Sequence, residues 1–261
     1  MATGNHAVLK ALDILDLLAQ TKAPLPLKEI ARRLEQPESS AHRLLASLTA
    51  KGYVQQRDPN GPYSLGWKVV LLARALQPEL RLTQELRPCL EDLVRQLKHT
   101  VNLGVLNGAR VLYLDCLVPD QSMSLYTPPG LSVPAHATAL GKCLLAHLPA
   151  GEREAAVERL DLAPSTPTTI TDRAELLRAL EEIRERGYAV DASEFVRGVT
   201  CVAVPVKDLS GRAVAAISTT ARSVELLEGW AEDTAARMIA AVRDHVAPDV
   251  LGGTLYVADP A

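Results

Sequence analysis

GYAVDASEFVRGVTCVAVPVKDLSGRAVAAISTT, residues 187–220, reads as three apolar runs separated by turns. The first, Tyr188-Ala189-Val190, ends at Asp191. The second begins at Cys201 and alternates through Val202, Val204 and Val206, and the turn Val206–Arg212 leads into the third, Ala213–Thr220. Alternation of period two is the strand signal, and Ser218 and Thr220 share parity, so their side chains leave one face together. As strands of one sheet, these runs bring a carboxylate, a thiol and two hydroxyls to an apolar wall. Small-ligand sites have that composition, mostly apolar with a few placed polar groups. A buried cysteine, two strand hydroxyls and a loop aspartate fit the same residues, so parity alone leaves both readings open.

The first 66 residues read differently. Val8, Ala11, Leu12, Leu15 and Leu18 recur at helical spacing, and Pro24 and Pro26 end that helix. Leu27–Leu34 gives a short second helix with apolar Leu27, Ile30, Ala31 and Leu34. A tight turn through Glu35 and Gln36 follows, and Pro37 suits the first position of a third helix. There Ala41, Leu44, Leu45 and Leu48 form the inner stripe, while Ser39, Ser40 and Arg43 share the outer face. Gly52 stops the helix. Tyr53–Arg57 and Pro62–Leu65 then flank Asp58-Pro59-Asn60-Gly61 as a hairpin. Three helices and a β-hairpin make a winged helix-turn-helix, which places its third helix in the major groove of DNA. Serine and arginine suit base edges and phosphates, and Arg57 and Asn60 at the hairpin tip suit the backbone or minor groove. A small helical bundle used for protein contacts is the bland alternative.

Charge supports nucleic-acid binding modestly. Residues 1–67 carry 8 Lys+Arg against 6 Asp+Glu, and the remainder carries 20 against 25, which together give the net −3. An excess of two is no strong basic patch, so nonspecific affinity is expected to be modest and a dimer would double the contacts. At 261 residues the chain exceeds the span of one core, and 48% hydrophobic residues suffice for two. Aromatic residues make up only 3%, so Ala, Leu and Val do the packing. Four widely spaced cysteines, Cys89, Cys116, Cys143 and Cys201, fit reduced thiols. There is no run of 18 apolar residues and no secretory pattern in Met1-Ala2-Thr3-Gly4-Asn5, so the expected location is the cytoplasm.

Between these ends, Trp67–Gln77 is strongly apolar and reads as a linker helix and dimer contact, ended by Pro78. Leu82–Lys98 reads as a long amphipathic helix. Val101–Leu106 and Val111–Asp115 flank Asn107-Gly108 as a hairpin. Glu152–Leu160 and Asp172–Arg186 read as helices, the second capped by Thr171 or Asp172. Val224–Val246 reads as a closing helix, with a loose tail after Pro248. The division expected is residues 1–66 for DNA, 67–81 as linker helix and 82–261 as an effector-binding and oligomerisation domain.

Over nearly its whole length the chain resembles the IclR-type bacterial transcriptional regulators. Three stretches carry the likeness: Ser40–Leu48 in the third helix, His136–Ala146 (HATALGKCLLA), and the 187–220 segment with Glu194, Gly198, Val199, Cys201, Ala203-Val204-Pro205-Val206 and Gly211 in matching order and spacing. The resemblance implies an α+β fold: a winged helix-turn-helix, a linker helix and a GAF-like effector domain with a mixed, largely antiparallel sheet. It implies a double-stranded DNA operator, a small organic-acid or aromatic-acid effector and self-association as partners, with no cofactor and no membrane. It also implies a pocket in which backbone amides at Ala139 and Leu140 meet the ligand carboxylate. The side-chain partners then fall on Asp191, Cys201, Ser218 and Thr220, the same four that parity selects, and an apolar patch on Leu125, Val133 and Val199. Amides at a helix N-terminus are unpaired donors at the positive end of the dipole, so the chemistry agrees. Many relatives have glycine around positions 139 and 140. The larger Leu140 changes the pocket, and the identity of the ligand does not carry over.

His136, Asp191 and Cys201 also have the residue types of Cys–His–Asp catalysis, with Cys201 as nucleophile, or of a metal site. No pair of histidines at i, i+4 and no CxxC supports either, and His136, just ahead of a helix, is expected to cap or pack. Asp191 would repel an incoming carboxylate unless it is protonated or meets a hydroxyl or hydrate of the ligand, which favours a ligand with a polar group beside its carboxylate.

Overall fold

Two units divide the chain between Gln77 and Pro78. The computed structural model describes residues 6–21, 23–59, 61–73, 77–119, 127–208, 211–223, 227–246 and 255–256. In the first unit lie α1 (His6–Gln20), α2 (Leu27–Arg33), α3 (Glu38–Ala50), β1 (Val54–Gln56), β2 (Tyr63–Leu65) and α4 (Lys68–Ala73). Pro26 and Pro37 take the N-cap positions of α2 and α3. Proline has no amide to leave unpaired there, so Pro37 precedes the third helix instead of opening it. Ile14, Leu18, Leu25, Ile30, Leu45, Val54 and Tyr63 form the core of this unit. The hairpin pairs Val54 with Leu65, and Leu25 bridges to Tyr63 on its other edge.

The stripe expected on α1 is only half inside. Leu15 and Leu18 reach the core, but Val8 and Leu12 are exposed together with Leu9, and Ile14 takes the inner position. The helix carries apolar residues on two adjoining edges, and its own unit covers one of them.

The second unit takes up α5 (Gln77–Leu97) from its second residue, followed by β3 (Thr100–Asn107), β4 (Arg110–Leu117), β5 (Ser132–Pro134), α6 (Ala139–Ala146), α7 (Ala150–Glu158) and α8 (Arg173–Arg186). Then come β6 (Ala189–Ala192), β7 (Val199–Asp208), β8 (Ala213–Arg222), α9 (Trp230–His245) and β9 (Leu255–Tyr256). Of the stretch 67–81, Trp67 lies in the turn before α4, residues 68–73 form α4 and residues 77–81 open α5, with residues 74–76 outside those described. Pro78 opens α5, where its missing amide is harmless, and does not end the helix before it. The hairpin loop is Gly108-Ala109, closed by Asn107 paired with Arg110, one residue later than expected. Only Gly108 in that loop has positive φ, 61°, the pattern of a two-residue loop with glycine first. Asp172, not Thr171, caps α8, accepting from Glu175 N at 2.8 Å. The closing helix starts at Trp230, after Gly229 turns the chain, and not at Val224; residues 224–226 and 247–254 lie outside the described set.

The seven strands form one sheet in the order β5-β4-β3-β8-β7-β6, with β9 on β7, and every ladder in it is antiparallel. One face is covered by α5 and α9 over Val101, Leu103, Val202, Val204, Val206 and Ile217. The other is covered by α6, α7 and α8 over Ala189, Ala203 and Ala216. The even-numbered valines of β7 therefore belong to the first face, and Cys201 to the second.

Candidate functional site

Antiparallel register turns four separate sequence positions into one row. Asp191 of β6 pairs with Cys201 of β7, Cys201 with Thr220 of β8, and Thr220 with Thr100 of β3. The next row runs Ala189, Ala203, Ser218, Asn102, Cys116. Registered partners point to the same side of a sheet, so both rows face α6. Cys201 Sγ lies 3.3 Å from Thr220 Oγ1, and Asn102 Nδ2 donates to the same oxygen at 3.4 Å. On β4 the pairing shifts between Asp115 and Tyr113, leaving Leu114 as an extra residue. This bulge lets Tyr113 and Cys116, three apart, share the face. Thr100, Asn102, Tyr113 and Cys116 thus share the face of Asp191, Cys201, Ser218 and Thr220, beyond the residues expected from the sequence. An asparagine inside the apolar run Val101–Leu106 was the available signal.

The helix α6 crosses this face. Thr138 is its N-cap, with Oγ1 accepting from Gly141 N at 3.2 Å. The amides of Ala139 and Leu140, in the first turn, have no partner within the helix. Two close approaches seat the helix. A Cβ on Gly141 would lie 2.1 Å from Ala135 O, and one on Gly104 of β3 would lie 2.9 Å from Val111 Cγ1 and 3.2 Å from Leu140 Cδ1. Leu140 therefore lies over β3, one inward position along from Asn102. Val133 is buried opposite Val111, Val199 is half-buried with the parity of Cys201, and Leu125 lies outside the described residues.

Asp191 is 3% exposed, and its Oδ1 accepts from Glu194 N at 2.6 Å. Burial raises its pKa from the ordinary 3.8 to about 7; the Glu194 amide opposes this, and the Glu194 carboxylate adds to it. Glu194 is itself paired with Lys142 of α6, both buried. Outside the sheet, Thr166, Thr168 and Thr169 clasp the loop after β6: Thr166 Oγ1 donates to Ser193 O at 2.7 Å and Thr169 Oγ1 to Glu194 O at 2.6 Å. Burial pushes the Cys201 thiol up to about 12, with Asp191 adding to it, so the thiol is neutral. His136 packs; it is buried, its Nε2 lies 3.1 Å from Ala163 O, and burial lowers its pKa.

A pH dependence follows. The folded state holds the Asp191 proton more tightly than the unfolded state, because its pKa there is about 7 instead of 3.8. The stability contribution is complete below the unfolded value and disappears as pH rises through the folded one. Chemical denaturation of the ligand-free protein should show stability falling between about pH 4 and about pH 7. Asp191→Asn keeps an acceptor for Glu194 N and removes the titration, so its profile should be flatter; an unchanged slope would refute the assignment.

In the first unit, Ser39 and Arg43 are exposed on α3, Ser40 is half-buried, and Arg57 is exposed just after β1. Ser40 turns inward because the helix buries Ala41 and Leu45, next to its edge. Asn60 lies outside the described residues. His42, Ala46 and Ser47 share the exposed side with Arg43. Elsewhere in this unit Trp67 is 78% exposed and Leu71 63%, alongside Val70 and Leu72. Among the described residues no helix is long and apolar enough to cross a membrane.

Residues 7–58 match the IclR helix-turn-helix domain, and residues 75–247 match the bacterial transcriptional regulator IclR C-terminal domain. The chain is 34% identical to the HTH-type transcriptional regulator BhcR of Paracoccus denitrificans, covering 92% of this chain and 86% of that protein. Its fold is similar to the crystal structure of Thermotoga maritima IclR, with TM-score 0.74, 29% identity and coverage of 91% and 96%. It is also similar to an IclR homologue from Microbacterium hydrocarbonoxydans crystallised with 4-hydroxybenzoate, with TM-score 0.70, 26% identity and coverage of 91% and 99%.

Proposed function

Since the chain belongs to the IclR family of bacterial transcriptional regulators, we propose that it binds an operator through α3 and the wing and a small carboxylic acid beneath α6. It is a DNA-binding regulator of transcription, and the effector pocket sets how tightly it holds DNA. The observation that carries this reading is the registered row Asp191–Cys201–Thr220 on the sheet face that α6 covers, with Ala139 and Leu140 in the first turn of that helix. The amides take the carboxylate, at the positive end of the helix dipole. Asp191, close to half-protonated at neutral pH, donates a hydrogen bond where a charged side chain would repel. Cys201, Ser218 and Thr220 supply neutral polar contacts, and Val133, Val199 and Leu125 the apolar wall. The Microbacterium homologue crystallised with 4-hydroxybenzoate supports an aromatic acid within the ligand class.

Cys201 acts as a contact and not as a nucleophile: its thiol is neutral, and His136 is directed at Ala163. We assign regulation, without catalysis, to the protein, and the cytoplasm as its place. The exposed apolar residues Val8, Leu9 and Leu12 of α1, Leu71 of α4 and Trp67 just before it are assigned to contact with a second copy, which presents paired recognition helices to a near-palindromic site. Effector and operator are then linked by a coupling free energy on the order of 1–3 kcal/mol, equal in both directions.

Arg43→Ala separates the two sites. Loss of an arginine that grips a base edge should weaken operator binding by about 1–3 kcal/mol, roughly 5- to 150-fold. Mobility shift with a selected duplex measures this, and thermal shift with carboxylic acids should be unaffected by the change. Asp191→Ala should show the reverse pattern. Both variants losing both activities would sink the division of labour.

A further inference from the structure

Two polar side chains on β3 are buried on this face, each with an oxygen that has no hydrogen-bond partner among the described residues. Asn102 and Thr100 are each 1% exposed. Among the described residues Asn102 Oδ1 accepts no hydrogen bond and Thr100 Oγ1 makes none, and the bond from Asn102 Nδ2 to Thr220 Oγ1 is long at 3.4 Å. Removing such groups from water without replacing their hydrogen bonds is unfavourable, so their place is explained by something that completes them. They are not scattered through the core. Thr100 stands across from Thr220, and Asn102 across from Ser218, in the rows that carry Asp191 and Cys201.

We propose that Asn102 and Thr100 form a specificity contact of the effector pocket, taking a hydroxyl group that the effector carries in addition to its carboxylate. This rests on the reading of the pocket given above. A hydroxyl fits because it both donates and accepts, and so satisfies either orientation of the Asn102 amide and the free Thr100 oxygen together. A second carboxylate does not fit. The charged groups that act on Asp191 here are Glu194 and Lys142, already paired with each other, which leaves no free cation among them. The geometry also gives a direction. Leu140 lies over Gly104, the next inward residue of β3, so the carboxylate end of the ligand sits by α6 and the hydroxyl end points along β3 towards Asn102.

The test uses acids in pairs that differ by one hydroxyl: glycolate and acetate, lactate and propionate, 3-hydroxybutyrate and butyrate, 3-hydroxybenzoate and benzoate. Calorimetric titration of the full chain should favour the hydroxylated member of at least one pair by roughly tenfold, the scale of one well-made hydrogen bond. Thr100→Val and Asn102→Leu should each bring that ratio towards one, while binding of the hydroxyl-free acid is kept. Thr100→Val adds a readout that a purely structural residue would not give. It deletes an unpaired hydroxyl without changing shape, so the ligand-free Tm should stay level or rise while discrimination is lost. Asn102→Ser serves where Asn102→Leu fails to fold. Equal binding within every pair, or a ratio unmoved in Thr100→Val and the folded Asn102 variant, overturns the proposal and leaves the pocket standing. Binding insensitive to Asp191→Ala and Cys201→Ala overturns the pocket itself. No binding by any of the eight acids overturns both.

Discussion

Lys142→Met should destabilise the unit of residues 78–261 by about 3–5 kcal/mol, the usual result of removing one partner of a buried ion pair. Lys142 and Glu194 are both almost inaccessible, and the second carboxylate oxygen of Glu194 already has no hydrogen-bond partner among the described residues. Without the ammonium, Glu194 holds a buried charge or must take up a proton, and Asp191 loses the cation that partly offsets its own burial. On a unit of this size the change corresponds to a fall in Tm of very roughly 6–20 °C. Replacing both partners by apolar residues should recover a large part of the loss, because an apolar pair of similar volume has no desolvation penalty. Denaturation curves for the two single variants and the double variant decide it. A single-variant effect below about 1 kcal/mol would place the pair in water, where such pairs contribute little.

Gly141→Ala is expected to be nearly as severe, for a steric reason. The added methyl would sit 2.1 Å from Ala135 O and 2.4 Å from Ala135 Cα, both backbone atoms that no rotamer change can move. Overpacking ordinarily costs about 1–3 kcal/mol, and a backbone collision falls at or above the upper end. The helix α6 would have to lift, taking the amides of Ala139 and Leu140 with it, so carboxylate binding should be lost even in molecules that still fold. Gly104→Ala is the control. Its methyl would meet the ends of the Val111 and Leu140 side chains, which can give way, so a smaller loss of stability is expected. Equal effects at the two glycines, by thermal denaturation and ligand titration, would refute the seating of α6.

How much of this was legible in the sequence varied with the range of the interaction involved. Parity placed Ser218 and Thr220 on one face because it depends only on the strand itself. It could not reach Thr100 or Asn102, because their membership of the site depends on β3 lying beside β8 across more than a hundred residues of chain. Tyr113 and Cys116 were hidden by the bulge at Leu114, which breaks the alternation that a reader counts on. On α1 the apolar spacing was correct as a pattern, but spacing alone does not say which of two apolar edges a small unit covers, so Val8 and Leu12 emerged exposed. The charge state of Asp191 was equally out of reach, since it comes from burial and from the Glu194 and Lys142 neighbours that folding supplies.

The hydrogen bond from Glu194 N to Asp191 Oδ1, 2.6 Å long, makes that amide a spectroscopic gauge. An amide proton facing a carboxylate resonates further downfield than one facing a neutral acid, because the ionised oxygen draws the proton more strongly. In a nitrogen–proton correlation spectrum, the Glu194 peak should migrate with pH around neutrality and report the ionisation of a side chain that is itself invisible there. An acid that binds with uptake of a proton should hold the peak at its upfield end across the same range. One isotopically labelled position can thus record occupancy of the pocket without labelling the ligand.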